Sequence, residues 1–476
     1  MRIKNYIGRL VAIVAVALCM VGCGPDRDNI LKVYNWGDYI DEELLTEFEE
    51  WYFEQTGEEV EIIYQTFDIN EVMLAKIENG HADFDVVCPS EYIVERMLRQ
   101  DMILPILTPE FEAEINERDI NYFDCISPYI KEQFSLLEAP EGHDPNDYAV
   151  GYMWGTTGIL YNTDWVTEQE ALSWNLMFDQ RLDDKILVKD AFRDVYSPIL
   201  IYAKTIEARE RGELRYDEYL PIETIRELMY DSSDGSIALV ESYLKRMKEL
   251  VAGWEADFGK EMMTQRKAWI NLIWSGDAVW AIEEAADVDV ELAYAVPKEG
   301  SVVWFDGWVI PKYAKNPRAA RYFIDYMCMP ENAIRNMDAT GYVSVIATEE
   351  VLDAMRDDEL ESVCDLSYLF VDHEGNPIEG SESVPIDPVL YPDRAVIDRC
   401  AVMHDSGERT DKMLEMWSRV KGDNLSTGML VGIIAFFSVL FVWGIWRKVD
   451  NYRKRQKHLK RRRRHAERKV KSQPQA

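Results

Sequence analysis

Six segments of this chain set an aromatic ring close to an acid or hydroxyl: Trp36-Gly37-Asp38-Tyr39, Ser90-Glu91-Tyr92, Arg193-Asp194-Val195-Tyr196, Trp274-Ser275-Gly276-Asp277, Trp304-Phe305-Asp306-Gly307-Trp308 and Thr340-Gly341-Tyr342. Taken singly, each reads as a core ring beside a capping carboxylate. Taken together they admit two chemistries: carboxylates beside ring faces hold organic cations, and paired carboxylates act as acid and nucleophile in glycoside cleavage. The catalytic option finds little else to support it. There are 6 His and no HExxH, GxSxG, P-loop or GxGxxG pattern, so no enzyme, cofactor or metal is expected.

The elements between these segments determine where they lie. Leu31 to Tyr34 reads as a strand, and Glu43 to Gln55 as a helix with Leu44, Leu45, Phe48, Trp51 and Tyr52 on one face until Gly57 stops it. Strand Val60 to Tyr64, helix Glu71 to Glu78, strand Phe84 to Cys88 and helix Tyr92 to Arg99 follow. Such alternation predicts a parallel sheet covered by helices, with ligands beyond the carboxyl ends of its strands. Asn35 to Tyr39 and Pro89 to Tyr92 fall at such ends. Residues 105–149 read as surface connections and 200–265 as mainly helical; Val150 to Asn162, Asn271 to Trp274, Leu292 to Val296 and Val302 to Pro311 read as strands, with helices near 318–328 and 331–338.

The order of these segments over about residues 30–400 resembles the spermidine- and putrescine-binding proteins of bacterial ABC importers. The resemblance is carried by Val33-Tyr34-Asn35-Trp36 with Tyr39, Asn70-Glu71 with Met73 and Ala75-Lys76, Asp85-Val86-Val87 with Pro89-Ser90, Tyr152-Met153-Trp154-Gly155, Ser173-Trp174, Val296-Pro297-Lys298-Glu299-Gly300, Trp304-Phe305-Asp306 and Gly341-Tyr342. It implies an α/β fold, a two-lobed flytrap of the type II periplasmic-binding class that closes on a polyamine. Trp36, Tyr39, Trp274, Trp304 and Tyr342 would then box the methylene chain. Asp38, Asp194, Asp277 and Asp306 would meet the ammonium ends, and Ser90 and Tyr92 would add hydrogen bonds. Two departures stand out. Ala191 replaces an acid of the spermidine-type pattern, and Met403 falls near an expected glutamine; with Asp277, an acid of putrescine binders, these favour a diamine. The expected partners are a permease and an ATPase subunit.

The expected domain plan is a signal over 1–22, one lobe from 30–148 with 304–350, a second from 149–303 with 351–421, a transmembrane helix over 425–446 and a basic tail over 447–476. Arg2, Lys4 and Arg9 precede an uncharged run ending at Met20-Val21-Gly22-Cys23, which resembles a lipobox with Cys23 as the acylated residue, although an ordinary signal peptide or uncleaved anchor has the same outline. Leu425 to Trp446 carries no charge, and the last thirty residues hold fourteen Lys and Arg against Asp450 and Glu467, a local +12 that leaves −47 on the rest of a chain of net charge −35. Positive charge stays inside, so the body is expected on the periplasmic or extracellular face of the cytoplasmic membrane. A body this acidic repels nucleic acid and draws cations. The five cysteines beyond Cys23 show no disulfide framework. Two other readings share the fold: a sensory receptor ectodomain, and a carrier of another small solute.

Overall fold

The computed structural model describes residues 27–422 apart from 81, 257 and 373–374, and residues 27–414 of these lie in one compact unit. The signal over 1–22, Cys23, the 425–446 span and the 447–476 tail lie outside the described residues. Among the described residues, no helix is long and apolar enough to cross a membrane.

β1 (Ile30–Trp36) buries Leu31, Val33 and Tyr34, and α1 (Glu43–Thr56) buries Leu44, Phe48 and Tyr52 before Gly57, at φ 74°, ends it in the left-handed conformation that glycine adopts without cost. β2 (Glu61–Phe67), α2 (Asn70–Gly80), β3 (Val86–Val87) and α3 (Glu91–Arg99) complete the first half; β1 runs parallel to both β2 and β3. β4 (Ala149–Asn162) is buried along its whole length. It is followed by β5 (Ile186–Lys189), α4 (Phe192–Glu210), β6 (Val251–Glu255), β7 (Ile270–Trp274), α5 (Ser275–Ala286), β8 (Ser301–Pro311) and α6 (Pro330–Thr340). Across the sheet the order is β2-β1-β3-β8-β4-β7-β5-β6.

The sheet is mixed rather than parallel throughout. β1 to β3 form one parallel group and β5 to β7 another, and the two long strands β8 and β4 join them with antiparallel pairing. β4 serves both sides, pairing with β8 over Ala149 to Thr156 and with β7 over Thr157 to Tyr161. A strand buried on both faces reads as a mostly apolar run, and both joining strands do so, broken by Thr156-Thr157 in β4 and by Asp306 in β8. A large apolar cluster around Phe48, Trp154, Phe305 and Trp308 lies apart from a smaller one around Leu160, Leu187, Ile273 and Ala278.

Two expectations need correction. Residues 105–149 are not mere surface connections: helices Pro109–Glu117 and Pro128–Ser135 bury Phe111, Ile115, Ile130 and Phe134, apolar positions whose pattern is diluted by the acids between them. The mainly helical stretch 200–265 contains β6, which is only five residues long and whose buried residue is Glu255 rather than an apolar one, so it shows no alternation of its own. Of the cysteines beyond Cys23, all five are free.

Candidate ligand-binding site

Most of the candidate residues collect where strands end and helices begin. Ser90 stands at the N-cap position of α3, where a serine side chain ordinarily accepts from the helix backbone. Here its hydroxyl instead donates to Asp306 Oδ1 at 2.6 Å, while the Tyr39 hydroxyl donates to Asp306 Oδ2 at 2.9 Å. Asp306 lies within β8 rather than at its end. The pairing of β8 with β4 shifts register between Asp306 and Gly307, and Asp306 bridges to Ser90 while the Gly307 amide donates to Pro89 O at 3.0 Å. The residue left over by this bulge is Tyr152 on β4; Asp306 keeps Met153 and Ser90 as partners, and the pairing with Ser90 sets its carboxylate just past the carboxyl end of β3.

From Tyr39, which holds that carboxylate, a chain of ring contacts runs through Tyr342 to Trp304. Tyr342 lies edge-on to Tyr39, with centroids 5.1 Å apart, and edge-on to Trp304 at 5.6 Å. Its position depends on two glycines. Gly341, at φ 72°, ends α6 and swings the chain back, and a Cβ on Gly276 would come within 2.4 Å of the Tyr342 ring. Gly155 does the same for Trp304, whose ring a Cβ there would meet at 2.6 Å.

The second group is built on α4 and α5, each with an acid in its first turn, where the helix dipole favours negative charge. The Trp274 indole N–H donates to Asp194 Oδ1 at 2.8 Å. The Tyr342 hydroxyl donates to Asp277 Oδ1 at 3.1 Å, which links this group to the first. Asp277 Oδ2 is 2.5 Å from Nζ of Lys189, and that ammonium also lies 4.4 Å from the Trp274 ring centroid.

The acids differ in electrostatic state. Burial pushes the Asp306 carboxyl from an ordinary 3.8 up to about 7; the hydrogen bonds from Ser90 and Tyr39 oppose this, and the Asp194 charge adds to it. Burial also raises Asp194 to about 6, against the Trp274 hydrogen bond. Glu91 is pushed well above the usual carboxylate range, first by burial and then by Asp306 and Asp194, against the Phe305 amide it accepts. Asp277 goes the other way: burial raises it, but the charges of Lys189 and Lys260 outweigh burial and hold it below its ordinary value. Among the described residues, neither Asp306 nor Asp194 forms an ion pair with a cationic side chain. Such a site, with buried acids held by a tyrosine hydroxyl and an indole N–H at the edges of rings, is suited to a cation brought from outside.

Residues 43–361 match the bacterial extracellular solute-binding protein family, about two thirds of the chain. The chain belongs to that family. It is 26% identical over 424 residues to the spermidine/putrescine-binding periplasmic protein of Escherichia coli (strain K12), covering 88% of this chain and 99% of the relative. It is 25% identical over 354 residues to the putrescine-binding periplasmic protein of the same organism, covering 72% and 84%. Among solved structures, the spermidine/putrescine ABC transporter substrate-binding protein of Streptococcus pneumoniae superposes with a TM-score of 0.56 at 27% identity, covering 83% of this chain and 98% of that one. The periplasmic-binding α/β fold of this solute-binding family member is thereby established.

Within this family fold, three sequence candidates stand apart from the cluster. Asp38 is an exposed turn residue at φ 51°, a left-handed position that Asp tolerates, and it directs Tyr39 inward rather than its own carboxylate. Trp36 packs on Phe67 at 4.5 Å, and no ring contact joins it to Tyr39, Trp304 or Tyr342 among the described residues. The Tyr92 ring lies beneath the Arg193 guanidinium, 4.4 Å from its centroid, and its hydroxyl accepts from Asn70 at 3.0 Å. Tyr92 therefore reaches the cluster through Asn70, which also donates to Ser90 Oγ at 2.9 Å. Sequence reasoning missed Glu91, Asn70 and Lys189 as site residues. Asn70 stood in the quoted Asn70-Glu71 motif and Glu91 between two candidates, whereas Lys189 carried no local signal.

Proposed function

We propose that this chain is the solute-capturing component of a polyamine importer, taking putrescine or spermidine into the cleft at the strand ends and delivering it to permease and ATPase subunits at the outer face of the cytoplasmic membrane. The observation that carries the reading is the pair Asp306 and Asp194, both buried beside aromatic rings and neither ion-paired to a cationic side chain among the described residues. An alkyl diammonium supplies what they call for. Its charges replace the missing counter-ions, and its methylenes gain about 0.8 kcal/mol each on burial, with about 0.5–2 kcal/mol more where an ammonium meets a ring face. The names of the relatives point to the same ligands. In this reading 30–148 with 304–350 form one lobe and 149–303 with 351–421 the other, and Cys23, the 425–446 segment or both tether the protein to the membrane.

Calorimetry on the purified full chain tests it. Putrescine or spermidine is expected to bind, and Asp306→Ala to weaken binding by at least about 100-fold, in line with the loss of one partner of a buried charge pair. No heat and no thermal shift with any polyamine would refute the assignment.

A further inference from the structure

The Asp277 end of the cleft is already a finished ammonium site. It has a carboxylate, a ring face and a tyrosine hydroxyl, in Asp277, Trp274 and Tyr342, and Lys189 fills it. Lys189 is the last residue of β5 and only 1% exposed. Its ammonium lies 2.5 Å from Asp277 Oδ2, 3.5 Å from Glu255 Oε1 and 4.4 Å from the Trp274 centroid. Glu255 is its register neighbour on β6 and is fixed in turn by Asn271 Nδ2 at 3.1 Å and the Gly259 amide at 3.1 Å. Lys260 Nζ approaches Asp277 Oδ1 from the other side, at 3.5 Å.

A lysine side chain is itself an ammonium on a four-carbon stem, one end of an alkyl diamine. We infer that Lys189 acts as a built-in substitute for one ammonium of a longer polyamine, so that this receptor selects a diamine and rejects a triamine. This rests on the polyamine reading above and names the member of that class. A third ligand ammonium placed at Asp277 would meet Lys189 and Lys260, whose two charges already balance those of Asp277 and Glu255; a diamine needs only the Asp194 and Asp306 end. Selectivity built this way comes from repulsion of the wrong ligand more than from added attraction to the right one.

Competition calorimetry with putrescine and spermidine on the full chain is the test. The wild type is expected to favour putrescine by at least tenfold; equal or tighter binding of spermidine would overturn the inference whatever any variant does. Lys189→Met, of similar length but uncharged, is expected to move the spermidine-to-putrescine affinity ratio at least tenfold toward spermidine, while Lys189→Arg, which keeps the charge, stays near the wild type. A Lys189→Met protein that melts cooperatively yet keeps the wild-type ratio would show that Lys189 is a structural ion-pair partner only. If neither amine binds the wild type, the polyamine reading itself falls and this inference with it.

Discussion

Ligand capture by this cleft should release protons, in numbers that the two unpaired acids set. Asp306 has its carboxyl raised to about 7 and Asp194 to about 6. An ammonium held against either favours the ionised form, so each acid is stronger with ligand bound than without. Affinity is therefore full above about pH 8 and is lost as pH falls through the two values in turn. Between pH 8 and pH 5 the Asp306 proton weakens binding by about two powers of ten and the Asp194 proton by about one more, together about 1000-fold or about 4 kcal/mol. The ligand's amines, with pKa values near that of lysine at about 10.4, stay charged throughout and add no slope. Calorimetry at pH 6.5 in two buffers of different ionisation enthalpy should register about one proton released per ligand, and at pH 8 almost none. Constant affinity from pH 8 to 5, or proton uptake at pH 6.5, would refute the burial of uncompensated charge on which this rests.

The same burial makes Asp306 a liability without ligand. A carboxyl raised from 3.8 to about 7 by folding costs about 4 kcal/mol at pH 8, a cost present in full above pH 7 and absent below about pH 4. Asp306→Asn should therefore raise the melting temperature of the unliganded protein at pH 8, with the gain shrinking toward pH 4 and the ligand-induced shift lost; a lower melting temperature at pH 8 would contradict this. Gly276→Ala should weaken polyamine binding at least tenfold, since its Cβ would lie 2.4 Å from the Tyr342 ring that packs on Tyr39 and Trp304, although Ala favours a helix by about 1 kcal/mol over Gly. Unchanged affinity would mean that the position of Tyr342 is not needed.

What could be read from the sequence was local. Trp274 and Asp277 sit on one strand end and the first helical turn after it, and Asp194 occupies the corresponding turn of α4, so short spacing was enough to place ring and acid at the same rim. What could not be read depended on distant pairings. Asp306 lies level with the strand ends because β3 stops at Val87, so the antiparallel register that pairs Val309 with Val87 sets Asp306 against Ser90, just past that end. Asp38 looked equivalent to the other acids because its neighbours are Trp36 and Tyr39, but a positive φ at its own position turns it outward. Lys189 closes a run of three apolar residues and looks like a charged strand terminus; only the alignment of β5 between β6 and β7 sets it against Glu255 and Trp274.

The order of the acid strengths follows from their positions. Asp277 has a helix start, two lysines and a tyrosine hydroxyl, and is held below its ordinary value. Asp194 has a helix start and an indole N–H, and rises to about 6. Asp306 sits within a strand, with two hydroxyl donors and no helix of its own, and rises to about 7. Compensation from the protein thus falls from Asp277 to Asp306, and an incoming ammonium gains most where the protein supplies least. A polyamine entering this cleft should therefore orient with a terminal ammonium on Asp306, which is the reason substitution there should cost more affinity than the corresponding change at Asp194.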